Sequence, residues 1–123
     1  MRPETKEWIR LAQRDFDAAQ VLFGRQIYDL AVFHAHQAVE KALKALWIEK
    51  YREEPPKTHN IQYLAKELGL NVRSAAAEIA DAYYVTRYPV PGVGTIEMDR
   101  ATAERKMNAA KEIYDKIIKI LLK

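Results

Sequence analysis

Apolar residues recur along this chain at three- and four-residue steps, the spacing of one helix face. Trp8, Leu11, Ala12, Phe16, Ala19, Leu22 and Phe23 make one such stripe and predict an amphipathic helix over residues 4–23. Gly24 is placed to stop it by taking a left-handed conformation. Asp29 is a candidate N-cap for a second helix reaching Lys50, whose face of Ala31, Ala35, Ala38, Val39, Ala42 and Leu46 lets a neighbour approach closely. Phe33, His36, Glu40, Lys44 and Trp47 lie near one another on the same helix. Large aromatics opposite an apolar stripe predict a second contact there, with a partner subunit or a ligand.

Glu53, Glu54, Pro55 and Pro56 break this helix, since proline lacks the amide hydrogen and clashes with the preceding turn. Thr58 or Asn60 can cap a short helix over residues 61–68, closed by Gly69. A fourth helix is expected over residues 72–86, with Ala76, Ile79, Ala80 and Tyr83 on one face. Residues 87–98, with two prolines and two glycines, read as a loop. Asp99 can cap the last helix, where Ala103, Met107, Ala110, Ile113, Tyr114, Ile117, Ile120 and Leu121 form a long stripe. No alternating strand pattern persists and no repeat is present. The pattern predicts an all-α fold: one domain over residues 1–123, an antiparallel up-down helix bundle of four main helices plus one short helix.

Composition narrows the function classes. The chain has no cysteine, which removes disulfides and thiolate metal sites and fits a reducing cytoplasm. The N-terminal residues place charges where a signal peptide needs an apolar run, and no apolar stretch approaches the roughly 20 residues of a membrane span. A cytoplasmic location with no membrane contact is expected. The 20 Lys and Arg against 17 Asp and Glu leave only +3, too little to argue for nucleic acid by itself. Residues 99–123 hold 7 basic residues against 4 acidic ones, which reads as a solvated helix with cations near its C-terminus.

The candidate motifs are modest. Gly92 and Gly94 form a G-x-G without the lysine or the preceding strand of a phosphate loop. His34 and His36, two apart on a helix, face different ways and cannot share a metal, and no metal site is expected. Glu40 and Lys44 have the spacing of a helix-surface ion pair worth about 0.3–0.5 kcal/mol. With Lys41 they also have the charge to meet a phosphate or a partner. His59 stands alone after the Pro-Pro break, a structural hydrogen-bonding group or a general base. Pro89 restricts the backbone at Tyr88 and so constrains where Arg87 points, toward a carboxylate or an anion.

Three segments together resemble one family. DLAVFHAHQAVEKALKALWIEK, PPKTHNIQYLAKEL and AYYVTRYP, in this order, are similar to the HEPN domain (higher eukaryotes and prokaryotes nucleotide-binding). The block from Gln37 to Ala45 is the most specific part, and the similarity runs over nearly the whole chain. The resemblance implies a five-helix bundle that forms homodimers, pairs with a small nucleotidyltransferase in a toxin–antitoxin-like arrangement, and binds a nucleotide such as ATP. It implies Lys41, Lys44, His59, Arg87 and Tyr88 as nucleotide- or phosphate-binding positions, with Glu40 in support. The residues themselves call for no cofactor.

Many family members are ribonucleases with R-x4-6-H. Here only Arg52 and His59 have that spacing; Pro55 and Pro56 interrupt it, and no histidine follows Arg87. Accidental spacing is the preferred explanation, so the chain is expected to lack clear catalysis of its own. Two rivals stand beside this reading. One is a metal-independent ribonuclease toxin using Arg52 and His59 on RNA. The other is a structural dimerisation module with Phe33, His36 and Trp47 at the interface.

Overall fold

In the computed structural model, residues 1–82 and 98–123 are described. They form five helices and no strand: α1 (Pro3–Gly24), α2 (Tyr28–Tyr51), α3 (Ile61–Glu67), α4 (Arg73–Ile79) and α5 (Arg100–Leu121). The all-α bundle is as the pattern predicted. None of these helices is long and apolar enough to cross a membrane.

Helix α2 is the axis of the bundle. It packs against α1 on one side and α5 on another, and α3 closes a third. Its alanine face is fully buried, with Ala31, Ala35, Ala38 and Ala42 at 0% exposure, so the neighbouring backbones come close. Phe16 of α1 meets Tyr114 of α5 with ring centroids 5.0 Å apart, and the Tyr114 hydroxyl donates to Gln13 Oε1 at 2.7 Å. Burial pushes the Tyr114 phenol above its ordinary pKa.

The helix ends show where local chemistry decides. Asp99 caps α5 by accepting from the Thr102 amide at 2.8 Å, and Asn60 caps α3 by accepting from the Tyr63 amide at 3.0 Å. Gly69 closes α3 with φ +72°, as expected of it. Two expectations differ. Gly24 remains within α1, and the left-handed residue of the α1–α2 link is Gln26 at φ +64°. Helix α2 starts at Tyr28, with Ile27 rather than Asp29 at its N-cap.

The expected fourth helix is also cut short, ending at Ile79 with a turn at residues 80–81. Lys106 Nζ donates to the Glu78 carbonyl at 2.6 Å and to Asp81 Oδ1 at 3.1 Å, which ties the end of α4 to α5. Ala82 is helical again, and residues 83–86 of that predicted helix, with the loop of Gly92 and Gly94, lie outside the described residues.

Candidate functional site

The polar centre of the molecule is Glu40, on the side of α2 that faces the connection to α3. Its carboxylate is buried, with 7% of the side chain exposed. Lys44 Nζ, one turn on, donates to Oε2 at 3.1 Å, and His59 Nδ1 lies 2.9 Å from Oε1. The carboxylate oxygen accepts in this contact, so Nδ1 carries the hydrogen. Helix α2 stops at Tyr51, before Pro55 and Pro56, and Thr58 Oγ1 accepts from the Asn60 amide at 3.1 Å, which fixes the turn carrying His59. The predicted surface ion pair is therefore a buried one: with helices on several sides, α2 has little solvent-facing surface at Glu40 and Lys44.

Lys44 also reaches the start of α1. Its Nζ lies 5.8 Å from the centroid of the Trp8 ring, in cation–π range. Both residues line a cleft of about 540 Å³, formed by the start of α1, the end of α2 and residues 53–57. Arg52 and Lys57 stand on the same cleft, with Arg2, Glu4, Glu53 and Glu54 around the rim. Arg52 is the left-handed C-cap of α2, at φ +57°. Glu49 ties the two helix ends that shape the cleft, accepting from the Arg2 amide at 2.9 Å and from Thr5 Oγ1 at 3.2 Å. The Arg2 amide bond is the main reason the Glu49 carboxyl is held below its ordinary pKa.

Lys41 points elsewhere. It pairs with Asp15 of α1, and His34 Nδ1 lies 2.9 Å from the other oxygen of that carboxylate. Lys41 and Lys44, expected together at one phosphate, thus serve two separate carboxylates. Arg52 and His59 are also divided: Arg52 lines the cleft, whereas His59 turns Nδ1 onto Glu40 and is not among the lining residues. Arg87 and Tyr88 lie outside the described residues.

The proposed interface residues are mostly internal. His36 is 0% exposed and Trp47 is 8% exposed, so both are buried by the chain itself, and only Phe33 keeps part of its surface. The cause is again the central position of α2, which buries most of this face. Trp47 packs on Tyr51 with centroids 4.8 Å apart. Burial pushes the His36 imidazole below its ordinary 6.5, and the Glu40 carboxylate pulls in the other direction.

Sequence reasoning missed Asp15 and Trp8 as site residues. The charge of Asp15 on the α1 stripe beside Phe16 was a usable signal for the first. Trp8 was read only as core, although the structure leaves it half-buried at the cleft.

The bundle, its central carboxylate–lysine–histidine group and the cleft beside it define a small helical domain. The HEPN domain family model matches residues 5–121, and the chain belongs to that family. It is similar to two solved structures. TT1696 from Thermus thermophilus is 27% identical with a TM-score of 0.84, covering 96% of this chain and 98% of that one. ST0689, an archaeal HEPN homologue, is 26% identical with a TM-score of 0.76, covering 95% and 96%. No curated protein matches the chain.

Proposed function

We propose that this HEPN protein is a dimeric nucleotide-binding or accessory partner of a small nucleotidyltransferase, without clear catalysis of its own. One observation carries the nucleotide part: Lys44, fixed by the buried Glu40, sits on the wall of a cleft that also presents the Trp8 ring, Arg52 and Lys57. Cations meet phosphate through charge-assisted hydrogen bonds, and an indole face accepts a stacked base. Glu4, Glu53 and Glu54 share the rim, so the cleft is no plain polyanion site and the ring contributes to recognition. Arg87 and Tyr88 are proposed to complete the phosphate contacts, as the family resemblance implies. The dimer, the partner enzyme and the toxin–antitoxin-like role rest on that resemblance too, and a cytoplasmic location rests on the cysteine-free composition.

Calorimetric titration with ATP tests the reading. Heat of binding is expected for the wild type, weakened in Arg52→Ala and in Arg87→Ala. No heat with any nucleotide, and no complex with the partner enzyme, would remove it.

The ribonuclease alternative retains one supporting observation. Glu40 holds His59 by Nδ1, the arrangement that orients an imidazole for proton transfer through Nε2. That alternative requires RNA cleavage by the wild type and its loss in His59→Ala; intact RNA after long incubation removes it.

A further inference from the structure

A second cavity, of about 620 Å³, opens between α3 and α4 on a part of the molecule that the nucleotide reading does not use. Its size is that of a small-molecule site. Ala65 and Ala76, 4% and 2% exposed, are among its lining residues, with the half-buried Leu70 beside them, and they give it an apolar side. Lys66 and Arg73 also line it, along with the amides of Gln62 and Asn71, and no carboxylate among the described residues does.

The electrostatics there are unbalanced in one direction. Neither Lys66 nor Arg73 forms an ion pair with a described residue. On the neighbouring helices Glu78, Asp81 and Asp115 are engaged with Arg105, Lys106 and Lys111, and Glu67, next to Lys66 in sequence, is outside the cavity lining. Two more lysines occupy the carbonyls of the α3–α4 link, Lys50 on Leu68 O at 3.0 Å and Lys116 on Asn71 O at 2.9 Å. Those bonds hold the link in place and add positive potential behind it. The cleft beside Lys44, by contrast, carries three carboxylates on its rim.

We propose that this cavity binds a small organic anion: a carboxylate, sulfonate or phosphate group on a flat apolar body. The anionic group meets Lys66 and Arg73, the Gln62 and Asn71 amides complete its hydrogen bonds, and the apolar body lies against Ala65, Leu70 and Ala76. A bare inorganic anion leaves that apolar surface wet, and an uncharged hydrocarbon leaves both cations unanswered.

The test uses anilinonaphthalene sulfonate, which joins a sulfonate to a flat apolar body, and the isotopically labelled full chain. Binding is expected to raise the probe's fluorescence and to shift the amides of Gly69, Leu70 and Asn71. Lys66→Gln combined with Arg73→Gln changes only exposed side chains and should bind roughly tenfold more weakly, the loss of one charge-assisted contact or more. Uncharged phenylnaphthylamine should bind more weakly by a similar factor. Absence of binding, shifts confined to residues 52–57, an unchanged affinity in the double variant, or equal affinity for the uncharged probe would each overturn the proposal.

Discussion

His59 and Glu40, nineteen residues apart in sequence, meet with Nδ1 2.9 Å from Oε1. This pair joins the connection after α2 to the middle of α2 and brings the Pro-Pro turn against the bundle. With Lys44 on the other oxygen, the Glu40 carboxylate has a donor on each side. A buried carboxylate is tolerable only when its charge is answered in this way.

Removing one partner therefore costs more than the spacing alone suggests. Lys44→Ala leaves Glu40 buried and short of its cation, a loss of about 3–5 kcal/mol by analogy with other broken buried pairs. Urea unfolding followed by circular dichroism measures it. Replacing both residues, Glu40→Gln with Lys44→Met, should recover much of the loss, because no bare charge remains.

Stability should fall in mild acid through His36. Burial lowers its pKa in the folded chain below the ordinary 6.5, so the unfolded chain takes up a proton first as pH falls. The contribution is fully present above about pH 6.5 and is lost as pH falls from there through the lowered folded value. Urea midpoints at neutral pH and near pH 5.5 should differ in the wild type, and the difference should shrink in His36→Leu.

Helix α3 is short and depends on its cap. Asn60→Ala removes the acceptor for the Tyr63 amide and should destabilise the protein by about 1 kcal/mol. Asn60→Asp, which keeps an oxygen in place, should cost far less. Thermal unfolding of the two variants separates the outcomes.

Trp47→Glu distinguishes a core position from an interface. At 8% exposure the ring belongs to the core, and burying a carboxylate there is costly. The expected result is a loss of about 3 kcal/mol or more in folding stability, in the range of large core truncations. A fully stable monomer in sedimentation would instead place Trp47 at a subunit contact.

Much of this architecture was legible because helical periodicity is a local property. The stripes on α1 and α5, the caps Asn60 and Asp99 and the stop at Gly69 all follow from neighbouring residues. Burial of α2 on several sides was not legible, since it depends on which elements surround it. The same four-residue spacing of Glu40 and Lys44 describes a surface pair or a buried one, and only α1 and the turn at His59 decide between them. Lys41 could not be assigned to Asp15 from spacing, because the two lie on different helices.

The most direct test of the nucleotide reading is amide chemical-shift mapping of the labelled protein with ATP. Shifts are expected at residues 52–54 and 57 and at Trp8 and Lys44, reduced in Arg52→Ala. Shifts confined to residues 66–73, or a spectrum unchanged at saturating ATP, would contradict it.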